Sequence, residues 1–339
     1  MDVAPTRHQM MRAMLAAALL CAASATAAPL PQLNIDRAQT TVSGMSSGGY
    51  MAVQLHVAYS SRFAAGVAVM AGGPFNCAEG SLINGLLRCL GKTDIPVAHL
   101  VSLTNQWAKE GFIDPTVNLA KSKVYLFAAA NDSVVKEATT TALKAYYLNY
   151  IPAANIALRT DVKGEHGFIT DDYGNGCMTK EKPFIINCNF DLTGALLGQL
   201  YGTLNARRVG ALEGSLVEFD QTPTNGMGSS GWAYVPKNCA GGASCRVHVA
   251  LHGCKTNVSD VGQEFVKNAG YNRWADTNNM VVLYPQTGKG ATNSCWDWWG
   301  YDDANYAKKS APQMKAIVAM LDRLSAPTSA SAAAPPAGK

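Results

Sequence analysis

Short apolar runs rich in β-branched residues recur along this chain, each closed by Gly, Asn or Asp and separated from the next by a helical stretch. That alternation constrains the fold more than any other feature. Parallel strands need long crossovers, and crossover helices cover both faces of the sheet they connect, so the pattern predicts an α/β architecture with a mainly parallel central sheet. Strands are expected at 40–43, 65–70, 124–130 and 155–162, and a second set begins near 215, 232, 246 and 280. Helices are expected at 50–60, 139–149, 191–202 and 263–277, with a long cysteine-bearing insertion between the second and third strands. No internal repeat is visible. With 339 residues, 48% hydrophobic and 15% charged, the chain can bury a full core.

The first residues carry Arg7 and Arg12, then an apolar run from Ala13 to Ala23, then the small residues Ala25-Thr26-Ala27. This is the layout of a secretory signal, expected to occupy 1–27 and to leave an exported chain, extracellular or periplasmic. The run is shorter than the roughly 20 apolar residues a membrane span requires. Cys21 could suggest a lipid anchor, but bulky Leu20 precedes it where a small residue is wanted. A catalytic domain is expected over 28–324, and the Ser/Ala/Pro composition of 325–339 reads as a disordered tail. The formal charge of +4 is spread without a basic run, so nothing asks for nucleic acid. TGKGAT around Lys289 lacks the preceding glycine and the Lys-Ser/Thr pair of a phosphate loop.

Removing Cys21 with the signal leaves Cys77, Cys89, Cys177, Cys188, Cys239, Cys245, Cys254 and Cys295. An even number in an exported chain suggests disulfides, and roughly a hundred pairings are possible for eight cysteines. Close neighbours suggest the short staples Cys77/Cys89, Cys177/Cys188 and Cys239/Cys245, leaving Cys254 with Cys295. No CxxC pair occurs, so no metal site is expected.

GMSSG, Gly44 to Gly48, fits G-x-S-x-G with Ser46 at its centre, after an apolar strand and before a helix. In that context the serine sits on a sharp turn that presents its hydroxyl at the carboxyl edge of the sheet, and the N–H of Ser47 points to where an oxyanion forms. A Gly/Ser loop is the bland alternative. Ser47 as nucleophile would need glycine at Met45. Such a serine requires an acid and then a histidine after later strands; Asp132 in AAANDSVV and His166 in KGEHGF follow consecutive predicted strands. An Asp in such a turn is often only a turn former, and a lone His often only a structural hydrogen-bonding group. The rivals fit less well: His56 falls inside a helix, His248 inside a strand, and no strand precedes His99. Asp161 lies within a strand pattern, while Asp171 and Asp172 come after His166.

The ordinary α/β-hydrolase order places an oxyanion loop before the nucleophile. Here the matching strand and His-Gly loop, VHVALHGC at 247–254, comes long after His166, which is what a circular permutation produces. The backbone amide of Cys254 becomes the expected second oxyanion donor beside Ser47, and a Cys254–Cys295 bond would hold it still. His252 is a rival base, but its place in the donor loop argues against that role.

With GMSSGGY, AANDSVV, GEHGF, LHGC and CWDWWGY in this order, the chain resembles the circularly permuted, single-domain extracellular poly(3-hydroxybutyrate) depolymerases from about Leu33 to Leu324. The resemblance implies Ser46, His166 and Asp132 as a triad, Ser47 and Cys254 as the oxyanion hole, and an aromatic subsite at Trp298 or Trp299. It implies no cofactor, a polyester or oligoester substrate, no membrane association in the mature form, and a monomer. Core packing is the alternative for the indoles of CWDWW. A secreted feruloyl or acetylxylan esterase is the competing enzymatic reading, since one triad serves many acyl groups; a non-catalytic binding protein on a hydrolase scaffold is the reading from another class.

Overall fold

The computed structural model describes residues 29–221 and 226–326. The expected signal at 1–27 and nearly all of the expected tail lie outside them.

Eight strands form one sheet: β1 (Thr41–Met45), β2 (Gly66–Met70), β3 (Lys123–Phe127) and β4 (Ile156–Arg159) from the first half, with four more from the second. A small three-stranded sheet of β5 (Phe168–Thr170), β6 (Asn175–Gly176) and β7 (Ile185–Asn187) lies between the two sets in sequence. The main sheet resumes with β8 (Ser215–Asp220), β9 (Ser230–Val235), β10 (Arg246–Leu251) and β11 (Met280–Tyr284), and its spatial order is β4-β3-β2-β1-β10-β11-β9-β8. Six neighbours from β4 to β11 run parallel, while β9 is antiparallel to both β11 and β8. The first four strands build outward to one edge. The last four fill the other side of β1, so strands that would lead an unpermuted chain come last. Leu33 N–H donates to Leu324 O at 2.8 Å, so the early and late parts of the described chain meet, as a permuted fold requires.

Both faces of the sheet are apolar because alternate side chains point to opposite sides. Val67 and Val69 join one buried cluster, Ala68 and Met70 the other, and the same alternation recurs on β3, β10 and β11. Each fully buried Val, Leu or Phe contributes about 1.5–3 kcal/mol over its exposed state. Helices Ser47–Ala58, Val97–Lys109, Glu137–Tyr147 and Pro312–Leu324 cover one face; Leu192–Tyr201 and Tyr271–Thr277 cover the other.

Several expectations shift. The helix expected at 263–277 is two, Glu264–Asn268 and Tyr271–Thr277, because Gly270 takes a left-handed conformation (φ 84°) that ends one and starts the other. The strand expected over 155–162 stops at Arg159, after which Val162 O and Gly164 O accept from Ala130 N–H and Asn131 N–H. The cysteine-bearing insertion contains the helix Val97–Lys109. Helix Pro312–Leu324 opens on proline at its first turn, and Met314, Ile317, Val318, Leu321 and Leu324 form its buried stripe.

Four disulfides join Cys77–Cys89, Cys177–Cys188, Cys239–Cys245 and Cys254–Cys295. The first three are the staples that the close spacings suggested, and the fourth is the pair they left over.

Candidate active site

β1 ends at Met45, and Ser46 follows with φ 56° and ψ −121°, a conformation costly for a non-glycine residue and kept where the surroundings enforce it. The surroundings here are glycines. A Cβ on Gly44 would stand 2.0 Å from Gly48 O, and one on Gly48 would stand 2.3 Å from His252 O, so strand, turn and helix approach too closely for any side chain. Ser46 N–H donates to Met70 O at 2.9 Å. Its hydroxyl stands at the N-terminus of the buried helix Ser47–Ala58, where the helix dipole favours negative charge.

Ser46 Oγ lies 3.1 Å from His166 Nε2, and His166 Nδ1 lies 2.8 Å from Asp132 Oδ2. Three residues expected from the sequence are thus brought into one hydrogen-bonded row. Asp132 is almost wholly buried, with 1% of its side chain exposed, and the buried carboxylate is satisfied: Oδ1 accepts from Val134 N–H and Val135 N–H, both at 2.8 Å. The turn that makes Asp132 a turn former also orients it.

One brace was not read from the sequence. Glu165 Oε1 accepts from Ser133 N–H at 2.8 Å and from His166 N–H at 2.7 Å, tying the acid loop to the histidine loop. Donation from those two amides helps hold its carboxyl below the usual range against the opposing effect of burial, the largest single influence. Nothing about a glutamate beside a histidine announces this; the contact exists only because β3 and β4 are neighbours.

The loop after β10 runs beside Ser46, and a Cβ on Gly253 would stand 3.5 Å from Ser46 Cβ. Among the described residues no carbonyl accepts the amide hydrogens of Ser47 or Cys254. The loop is tied to 293–296 three ways: Lys255 N–H to Asn293 O at 3.1 Å, Trp296 Nε1–H to His252 O at 2.9 Å, and the Cys254–Cys295 disulfide.

His252, the rival base, is committed elsewhere. Its Nε2 accepts from Thr287 N–H at 3.2 Å, which places its proton on Nδ1, 2.7 Å from Gly253 O. Burial lowers its pKa to about 4. His56 and His248 are likewise buried, each with a pKa lowered by burial to about 3, and bond Tyr147 and Ser122, and Thr41 and Ser43, respectively. Asp161 pairs with Arg159, Asp171 with Arg207, Asp172 with Arg273, and His99 with Glu79.

A cavity of about 320 Å³ opens beside Ser46 and His166, walled by Met45, Val134, Phe168, Pro183, Phe184 and Phe265. Trp298 and Trp299, expected to form a substrate subsite, are not in that wall. They are only 8% and 9% exposed and pack in a cluster with Tyr50, Cys77, Cys89 and Cys295, with Trp298 stacked on Tyr50 at 4.8 Å. Core packing places them. The phenylalanines of the wall come from the small sheet, its flanking loop and a short helix, scattered over 97 positions from Phe168 to Phe265, so no local motif marks them. A wider groove of about 780 Å³ between 91–95 and the helix Glu137–Tyr147 holds none of the triad.

No protein-family model matches the chain. It is 39% identical over 327 residues to a polyhydroxybutyrate depolymerase of Talaromyces funiculosus, across 90% of this chain and 95% of that protein. The chain belongs to the polyhydroxybutyrate depolymerase family. It is also 58% identical over 322 residues to the poly(3-hydroxybutyrate) depolymerase of Delftia acidovorans, covering 92% of this chain but 65% of that protein, so it spans about two thirds of that relative's length. Two solved structures, a PHB depolymerase from Penicillium funiculosum and a PHB depolymerase complexed with R3HB trimer, each match with a TM-score of 0.83 at 37% identity, over 87% of this chain and 98% of theirs. The fold is that of a circularly permuted α/β-hydrolase.

Proposed function

We propose that this chain is a secreted serine esterase that hydrolyses the ester bonds of poly(3-hydroxybutyrate) or its oligomers. The observation that carries the reading is the row Ser46–His166–Asp132, at 3.1 and 2.8 Å, at the mouth of an apolar cavity. Membership of the depolymerase family and the likeness to a structure holding R3HB trimer support the choice of substrate.

Ser46 Oγ attacks the ester carbonyl while His166 Nε2 takes its proton, and Asp132 holds the ring and stabilises the imidazolium. The amides of Ser47 and Cys254 receive the oxyanion, aided by the helix N-terminus. His166 returns the proton to the leaving alcohol; a water then attacks the acyl-enzyme by the same route, and the acid leaves. The apolar wall accepts the methyl and methylene groups of the polyester. One chain supplies every group of this site, so a monomer suffices. The secretory layout of the sequence at 1–27 supports an exported protein. No helix of the described residues is long and apolar enough to cross a membrane.

A substrate panel on the purified mature protein tests the reading: clearing of a poly(3-hydroxybutyrate) suspension, cleavage of hydroxybutyrate trimer and release of ferulate. Hydrolysis of polymer or trimer is expected. Ferulate release with no action on hydroxybutyrate esters would overturn the reading in favour of a plant-wall esterase.

A further inference from the structure

The cavity beside Ser46 has two cationic residues in its lining, Lys180 and Lys255, and no acidic one. A neutral polyester has no use for them. Lys180 is accounted for within the fold, since its Nζ donates to Ser133 Oγ at 2.5 Å and its charge lies close enough to Glu165 to favour that carboxylate. Lys255 is different. None of the ion pairs among the described residues includes it, although Lys182 and Asp260 pair close by.

Its backbone adds a second, independent observation. Lys255 has φ 58°, the left-handed region, where glycine or asparagine sits at lower cost. The turn is pinned on both sides, by the Cys254–Cys295 disulfide and by the bond from Lys255 N–H to Asn293 O. A strained lysine directly after the Cys254 amide, in a wall otherwise apolar or uncharged apart from Lys180, calls for a use of its side chain.

Oligoester chemistry supplies one. Every interior unit of a 3-hydroxyacid chain is neutral, but the chain ends in a free carboxylate. In the last unit that carboxylate lies only two carbons beyond the carbon bearing the scissile oxygen. When the last ester occupies the site, the leaving alcohol carries that carboxylate beside the cavity that Lys255 lines.

We propose that Lys255 is a specificity residue that pairs with the terminal carboxylate of a short oligo(3-hydroxyacid), so that the site favours acid-ended oligomers over capped chains. This rests on the esterase reading above. The experiment compares hydroxybutyrate trimer as free acid and as methyl ester, using wild type, Lys255→Gln and Lys255→Arg. The wild type is expected to prefer the acid, with a preference that shrinks in high salt. In Lys255→Gln the acid-to-ester ratio of kcat/KM should fall about fivefold, mainly through KM for the acid, as loss of one partly exposed ion pair implies. Lys255→Arg, which keeps the charge, should restore the ratio. An unchanged ratio in Lys255→Gln, or one insensitive to salt in the wild type, overturns the inference while leaving the esterase reading intact. Cleavage of neither trimer by the wild type overturns the inference, and failure to clear the polymer as well overturns the esterase reading.

Discussion

His252 Nδ1 lies 2.7 Å from the carbonyl oxygen of Gly253, and that bond decides where the amide hydrogen of Cys254 points. In a trans peptide the C=O and the following N–H are antiparallel, so holding the oxygen on one side aims the hydrogen to the other. Thr256 Oγ1–H donates to the same oxygen at 2.8 Å, giving the carbonyl two donors. The first is a neutral ring whose tautomer is set by Thr287 N–H. In the proposed mechanism the His-Gly pair, visible in the sequence, therefore aims the Cys254 amide and does not act as a base.

Thr256→Val keeps shape and removes one of those donors. Its kcat should fall about tenfold with KM nearly unchanged, a fraction of the loss expected from deleting an oxyanion donor outright. Steady-state kinetics on a p-nitrophenyl ester provide the readout, and an unaltered kcat would show that His252 alone suffices.

Ser46→Ala should abolish ester hydrolysis by several powers of ten while the protein still folds, because a triad stripped of its nucleophile keeps only binding and the oxyanion hole. Turnover together with a thermal melt checks both halves of this expectation; near-normal turnover would remove Ser46 from the mechanism.

Glu165 joins the acid and histidine loops through two amides. Glu165→Ala should lower kcat about tenfold by loosening His166 against Asp132, and Glu165→Gln, which retains an accepting oxygen, should recover part of it. Equal losses in the two variants would mean that the charge matters more than the bridge.

Cys254→Ser/Cys295→Ser opens a link spanning 41 residues. Loop-closure entropy puts the cost near 4 kcal/mol of stability, and kcat should fall as well, since the oxyanion loop loses one of its three ties. Denaturant titration reads the first effect and kinetics the second. Peptide mapping that pairs Cys254 with another cysteine would remove the premise.

Acid should destabilise the fold before ordinary carboxylates titrate. His56, His248 and His252 have pKa values lowered by burial from 6.5 to about 3, 3 and 4. Between those values and 6.5 the unfolded chain binds more protons than the folded one, so stability is greatest above 6.5 and is lost as pH falls. With about three extra protons bound by the unfolded state near pH 5, the slope approaches 4 kcal/mol per pH unit. Melting temperature measured from pH 8 to pH 4.5 checks this, and a flat profile would contradict the burial of these rings as neutral groups.

The alternation of apolar runs and helical stretches determined the sheet, and the order of GMSSG, NDS, GEHG and HGC determined the permutation. Each of these is a local pattern tied to a strand end. The convergence of Ser46, Asp132 and His166 was legible for the same reason: a parallel sheet delivers the carboxyl ends of its strands to one rim. Close cysteine spacing likewise pointed to three of the disulfide pairs and left Cys254 with Cys295. Only the tertiary structure decided the rest. Glu165 braces two loops because β3 and β4 pair. Trp296 anchors the loop after β10, while Trp298 and Trp299 are spent on the core around Cys77 and Cys89. Phe168, Phe184 and Phe265 share a wall although distant in the chain. Composition can say that an indole or a phenyl ring will be buried; which neighbours bury it depends on contacts across the sheet, and those carry no period along the chain.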